Sequence, residues 1–443
     1  MKMRQVTKFG MLVLGVLFIA SKSLAADLIE TYNDALANDP TFKLARANWL
    51  ADRERLAISQ ASLLPQIAVN LDWKGHRKIG VEDWSASRVG SLGYGLSISQ
   101  PIFDFGRLAS VWGTQATVKR AQAMFMAAEE ELLYRTAEKY FDVLLAKEVL
   151  AYTQAHRAAN ERLLIQAKHK HEVGLTPITD LEEARRNHKQ AISAELKSRN
   201  DLDTALELLQ EITGVKYQKV SSLKKSFPLL APKPAELEAW VKAAERQNFS
   251  LIATRYGVVQ AQENIKMKQA GHLPTINLAG GYRNEYQSVH DVISSSRDQA
   301  ATVGLAVTMP IFAGGRVTAE VRQAMYQYQG ALAELERCHR GVVSGVRQAY
   351  LGTWSGISQI KADLQAIKAA ESALKAMQAN YAVGRKTMTE VLDAQSKLYA
   401  AQTGYAKDEH SYILLMLKLK MLVGSLKVAD LVEVNTWIES QPR

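Results

Sequence analysis

The chain has 443 residues, a formal charge of +10 at pH 7, a hydrophobic share of 47% and one cysteine, Cys338. One cysteine excludes an internal disulfide, and Cys338 reads as a small packing residue on a helix. The densest basic pairs, Arg185-Arg186 and Lys224-Lys225, have no interleaved aromatics, so they read as solvated helix faces and no nucleic-acid partner is expected.

The first 25 residues set the compartment. Lys2, Arg4 and Lys8 precede an apolar run from Gly10 to Ala20, and Ser23-Leu24-Ala25 follows as a small-x-small cleavage site. This is the pattern of a secretory signal peptide; the run is short for a retained membrane anchor. Its removal takes four basic residues and no acid, lowering the formal charge from +10 to +6. No cysteine lies at the end of the signal, so acylation there is not expected.

The remainder repeats itself. Leu64-Pro65 returns as Leu273-Pro274, and QPIFDFGR ending at Arg107 returns as MPIFAGGR ending at Arg316, both 209 residues on. VGLTPITDLEEA from Val173 returns as VGRKTMTEVLDA from Val383, and Ile212-Thr213-Gly214 as Leu422-Val423-Gly424, both 210 residues on. One order at one spacing marks a duplication. We divide the chain into a signal peptide (1–25), a first repeat (26–230) and a second repeat (231–443), joined near Pro228, Pro232 and Pro234.

Each repeat opens with a helical lead-in. Two alternating segments follow, at about 64–76 and 89–100 in the first repeat and about 273–284 and 300–311 in the second. Ile67, Val69, Leu71 and Trp73 alternate with Gln66, Ala68, Asn70 and Asp72, and Leu92, Tyr94, Leu96 and Ile98 with Ser and Gly. In the second repeat Ile276, Leu278 and Tyr282 oppose Thr275, Asn277 and Arg283, and Val303, Leu305 and Val307 oppose Thr302, Gly304 and Ala306. Such segments suit tilted membrane strands with lipid on one side and water on the other, although a strand pair on a soluble core alternates in the same way. The export signal and the Gly/Ser-rich polar faces favour the membrane. Four strands cannot enclose a lumen, so a barrel needs further copies of the chain.

Long helices come next, at about 104–173 and 177–214, then about 313–382 and 387–424, with a short C-terminal tail. Between Arg107 and Glu172 there is no proline and one glycine, Gly113. Leu133, Ala137, Tyr140 and Leu144, and later Ile357, Ile360, Leu364 and Ile367, step by three and four as along a coiled-coil seam. At 1.5 Å per residue such a run is about 100 Å long, which demands an elongated bundle. Chemistry is scarce along it. There is no Walker loop and no nucleophile elbow; GSLGYG at Gly90–Gly95 opens no helix, and His169 and His171 fall on different helix faces. We expect no enzyme, no metal and no cofactor.

The ordered set LLPQ, QPIFD, FDVLLA, VGLTPITDLEEAR, AGHLP, MPIFAGG and VGRKTMTEVLDA resembles the TolC-type outer-membrane channel-tunnel family, over almost all of Ala26–Ile438. The resemblance implies a mostly α fold with membrane β, a homotrimer whose twelve-stranded β-barrel is continuous with a twelve-helix periplasmic α-barrel tunnel. A mixed α/β equatorial girdle comes from the linker near Val215–Pro234 and the C-terminal segment. It implies outer-membrane lipid around the barrel, in a Gram-negative cell. A periplasmic adaptor and an inner-membrane transporter dock on the helical end, for efflux or type I secretion. From the residues alone, the rival is a periplasmic coiled-coil scaffold or adaptor.

The same resemblance places the two Gly-marked turns at a closing periplasmic tip. Glu390 and Asp393 stand at the acidic-ring positions, three residues apart on one helix face. Six carboxylates around one axis favour cations, and crowding raises some of their pKa values. Closed-state links fall on Thr179 and Asp180 from the first turn and Tyr381 and Lys386 from the second. Asp180 is expected to accept from the Tyr381 hydroxyl and pair with Lys386. The family commonly has Arg at Lys386 and Asp at Glu390, and Arg385 is the neighbouring candidate for the cation.

Overall fold

The computed structural model describes residues 26–79, 86–217, 220–224, 227–289 and 294–439. The expected signal peptide lies outside the described residues.

Two short helices open the chain, α1 (Leu28–Asn38) and α2 (Pro40–Ala61), the second started by the Asp39 side chain accepting from Thr41 N at 3.0 Å. Strands β1 (Gln66–Ile79) and β2 (Ala86–Phe103) follow, then helices α3 (Phe105–Glu172) and α4 (Ile178–Thr213). The second half has the same order: α5 (Leu237–Gln247), α6 (Phe249–Gln269), β3 (Thr275–Val289), β4 (Ser294–Thr308), α7 (Arg316–Ala382) and α8 (Met388–Val423). Helix α9 (Val428–Asn435) closes it.

The strands form one antiparallel sheet in the order β1-β2-β3-β4. Its central pairing, β2 with β3, joins the two halves, with Leu96 opposite Tyr282 and Ile98 opposite Gly280. Residues in register share a face, so Ile67, Ile98 and Val303 line up on one side, as do Val69, Leu96 and Tyr282. The other side carries Asn70, Gly95, Arg283 and Ala300. The apolar side is uncovered by its own chain: Leu71 is 79% and Val303 84% exposed. Register shifts between Pro101 and Phe103, where Pro101 has no N–H to donate.

The strands run further than the alternation indicated, to Ile79 and Val289, because Ser, Arg and Lys continue the ladder after the apolar residues stop. β4 ends at Thr308, before Pro310, rather than near 311. The entries into the long helices differ between halves. Asp104 caps α3, accepting from Arg107 N at 3.0 Å, whereas Gly314 and Gly315 turn left-handed (φ 61° and 81°) before α7.

α3 has 68 residues, about 100 Å at the α-helical rise. Near its start it packs on α2, with Phe125 stacked against Phe42 and Trp49, and further along on α4, through Arg157–Glu195 at 2.8 Å and Thr153–Ser198 at 3.1 Å. The main core sits midway along the long helices. There Leu28, Tyr140, Phe141, Leu144, Leu209, Tyr412, Leu417, Leu431 and Trp437 are buried together. Linker and C-terminus join this core by single bridges, Ala26 with Val220 and Leu223 with Ile438. Tyr140 is fully buried and its hydroxyl donates to the carbonyls of Ala26 and Ser221 at 3.2 and 3.3 Å.

Candidate functional site

A second core closes the far end of the long helices. Leu163 and Ala167 of α3, Leu181 and Ala184 of α4, Leu374 and Tyr381 of α7, and Met388, Val391 and Leu392 of α8 are buried together. This cluster brings the α3–α4 and α7–α8 turns side by side. Each turn is reversed by a left-handed glycine, Gly174 (φ 73°) and Gly384 (φ 74°), with Leu175 N donating to Lys170 O at 2.8 Å and Arg385 N to Asn380 O at 2.9 Å.

The helices leaving the turns start differently. Thr387 caps α8 in a full capping box: its hydroxyl accepts from Glu390 N at 3.3 Å, while Glu390 Oε2 accepts from Thr387 N at 2.9 Å. In the first half Pro177 stands at the cap and no side chain satisfies the first turn. Thr179 is exposed there, and Asp180 is half-buried.

Glu390 is held on both oxygens. Lys386 donates to Oε1 from the preceding turn at 2.5 Å, and this contact, followed by the Thr387 N–H, keeps the carboxyl below the usual glutamate range. Asp393 lies one turn on and pairs with Lys397 at 2.7 Å. Each of the two acids thus has a lysine four residues away within the chain.

Tyr381 is 5% exposed, and its hydroxyl meets no hydrogen-bond partner among the described residues. Its ring is covered by Lys170 of α3, whose Nζ lies 3.9 Å from the ring centroid. Burial, then the nearby Asp180 carboxylate, push the phenol above its ordinary value. Neither expected intrachain link forms: Asp180 reaches Tyr381 through its field without a hydrogen bond, and Lys386 turns to Glu390. Lys386, just before the cap of α8, reaches Glu390 four residues on without crossing between hairpins. Arg385 is exposed. A cleft of about 630 Å³ runs from Tyr381 along α3, α7 and α8, past Gln378, Gln395 and His156.

A duplicated chain of long helices with an exposed apolar sheet face and paired tip turns is now in view. The model of the outer membrane efflux protein family matches it twice, over residues 31–215 and 240–425. The chain belongs to this family. It is 33% identical to outer membrane protein TolC of Escherichia coli strain K12, over 94% of this chain and 86% of that one. It is 26% identical to the protease secretion protein PrtF of Dickeya chrysanthemi, over 94% and 92%. Among solved structures, VceC from Vibrio cholerae superposes with a TM-score of 0.76 at 19% identity, covering 90% of this chain and 96% of that one.

For an outer membrane efflux protein, the tip contact that the sequence did not give up is Lys170 on Tyr381. Its signal is faint: Lys170 lies three residues before Val173 and Tyr381 two before Val383, so the two turns place them within one residue of the same depth. Glu409 was also missed. It lies buried in α8 with Tyr405 donating to it at 2.7 Å, and only the fold reveals that Glu148 and His410 share its surroundings.

Proposed function

We propose that this chain is the outer-membrane duct of a tripartite efflux or type I secretion machine, passive and gated at its helical tip. The observation that carries the reading is the uncovered apolar face of a four-stranded sheet whose two edges stay open among the described residues. Open edges are not tolerated in hydrocarbon, and three copies close a barrel of twelve strands, inside the known range for membrane barrels. Four long helical segments at each level of one chain then make a twelve-helix tunnel. Kinship to TolC and to a protease secretion protein supports export as the task, with a periplasmic adaptor and an inner-membrane transporter supplying docking and energy.

At the tip, Glu390 and Asp393 from three chains form the acidic constriction, and their hold on Lys386 and Lys397 sets how far the carboxylates reach inward. The unpartnered Tyr381 hydroxyl, with Thr179, Asp180, Arg385 and Lys386, supplies the links that close the resting state. The test is conductance in a planar bilayer. The resting channel should pass little current and prefer cations. Replacing Glu390 and Asp393 by Ala should reduce that preference, and Tyr381→Phe should raise the current. Unchanged current and selectivity in both variants would place the constriction elsewhere.

A further inference from the structure

The duplicated hairpins are covered unequally. Within one chain they meet through α3 and α8, where His410 of α8 packs edge-on against Phe141 of α3 with ring centroids 5.6 Å apart. Phe141 and Leu144 of α3 and Ala406 of α8 are all buried. Moved by 210 residues, the offset between the two tip turns, these positions become Leu351 and Trp354 of α7 and Leu196 of α4. The counterparts are uncovered: Leu351 is 59%, Trp354 42% and Leu196 63% exposed. One chain therefore completes the seam of α3 with α8 and leaves apolar side chains bare where its repeat, α7 with α4, would lie.

A polar layer in the completed seam repeats as well. Thr153 of α3 and Ser198 of α4 have their hydroxyls 3.1 Å apart, and Tyr399 of α8 lies on Thr153 at 3.2 Å. Thr153 gives its own proton to Val149 O at 2.6 Å, so the Tyr399 hydroxyl is the donor. The counterparts of Thr153 and Ser198 are Asp363 of α7 and Asp408 of α8, and these too face each other, the Asp408 carboxyl hydrogen-bonding to Asp363. Where the first layer is neutral, the second is a pair of acids. Gln359 donates to Asp363 Oδ1 at 2.9 Å, whereas Oδ2 is buried and meets no donor among the described residues. Burial, then Asp363 itself, holds Asp408 above the usual aspartate range, with Lys407 opposing least. The counterpart of Tyr399 is Lys189 of α4, which is exposed and makes no ion pair among the described residues. His156 stacks on Tyr399 at 4.8 Å in the completed seam; its counterpart is Ala366, small enough to leave the approach to Asp363 open.

We propose that α7 of one copy seats α4 of the next, with Lys189 of the incoming chain entering at Asp363 and Asp408 and with Leu196, Leu351 and Trp354 covered in the same joint. The inference rests on the reading of three chains as one closed tunnel. Six hairpins in a ring obey one rule of contact only if the joint between chains copies the joint within a chain. Charge selects the occupant: a lysine from a second copy turns two acids that repel each other into a cation held by both. Such a joint uses different faces on its two partners, so each copy offers α7 on one side and α4 on the other, and the contact propagates until the ring closes.

The experiment uses full-length protein in detergent, assembled from a mixture of isotopically light and heavy chains and treated with a carbodiimide, which joins an amine to a carboxylate in direct contact. Peptides joining Lys189 to Asp363 or Asp408 should appear, light-to-heavy pairs among them. Lys189→Glu should lower the share of assembled protein at a fixed dilution by at least about tenfold, read by native mass, while Lys189→Arg keeps it. In a chain that also carries Asp363→Asn and Asp408→Asn, the Lys189→Glu change should lose most of its effect, which a merely structural role for Lys189 would not produce. Joined peptides of matched label only would put the contact inside one chain and overturn the proposal, as would Lys189→Glu assemblies as firm as the unaltered ones. Three chains by native mass with no joined peptide sinks this joint and leaves the duct standing; a protein that stays monomeric removes both.

Discussion

Glu409 shows what a single buried side chain does to the whole. Burial, opposed by the Tyr405 hydroxyl and reinforced by Glu148, raises its carboxyl from 4.5 to about 7. The groups facing it are Glu148 and Tyr152 of α3 and Tyr405 and His410 of α8, with His410 Nε2 3.4 Å from Glu148. A raised folded value means that the protonated acid is the form the fold prefers. Its stabilising effect is complete below pH 4.5 and is lost progressively as pH climbs through about 7. Glu409→Gln should therefore raise the melting temperature at pH 8 by a few degrees and change it little at pH 4.5, a pH-dependent difference readable by circular dichroism. At the tip, Lys170→Ala should remove the cation from the Tyr381 ring, worth about 0.5–2 kcal/mol at a part-buried site. Faster amide exchange in the α3–α4 turn, with α1 unaffected, is the expected sign. Neither contact was legible in the sequence, since Tyr381 lies far along the chain from Lys170, as Glu148 does from Glu409. Glu390 and Asp393 were legible as a pair on one face, but not the lysines that hold them, because Glu-x-x-Asp with flanking Lys also describes any solvated helix.

The elements were far easier to see than their joints. Period-two patterns run along the strands and period-three-to-four patterns along the long helices, since one backbone period follows from one covered face. What periodicity leaves out is how shorter helices end against longer ones. α4 finishes at Gly214 and α8 at Gly424, both left-handed (φ 67° and 81°). Asn38 Nδ2 donates to Thr213 O at 2.8 Å beside the first, and Asn248 Nδ2 donates to Leu422 O at 2.8 Å beside the second. Asn248 also caps α6, accepting from Leu251 N at 2.9 Å. A side chain at either glycine strains the backbone, but the neighbours differ. A Cβ at Gly214 would meet the Asn38 side chain at 3.2 Å, which can shift, while one at Gly424 would run into the backbone carbonyl of Gln247. Gly424→Ala should thus cost about 2–4 kcal/mol and Gly214→Ala about 1 kcal/mol, compared by urea unfolding of both variants. Equal losses would mean that the φ strain alone decides, and that the α8–α5 joint is looser than its contacts indicate.

At the scale of the molecule, one chain is an unfinished object. Its sheet pairs β1, β2, β3 and β4 in sequence order and stops, leaving one ladder of β1 and one of β4 without partners among the described residues. The duplication foretold four strands; it did not say that the halves meet through β2 and β3, because register between strands some 170 residues apart is written in shape complementarity, not local pattern. Closure by other copies makes a sharp prediction about the edges. In detergent-solubilised assemblies, hydrogen exchange should find β1 and β4 amides as protected as those of β2 and β3, because a neighbouring chain completes each ladder. Native mass should give three chains. Monomer released by denaturant and refolded without lipid should lose protection first at β1 and β4, while α3, α7 and the core around Tyr140 keep theirs. Edge amides that exchange freely in the assembly would mean the sheet stays open, and the duct reading would fall with it, since an open sheet cannot hold water away from hydrocarbon.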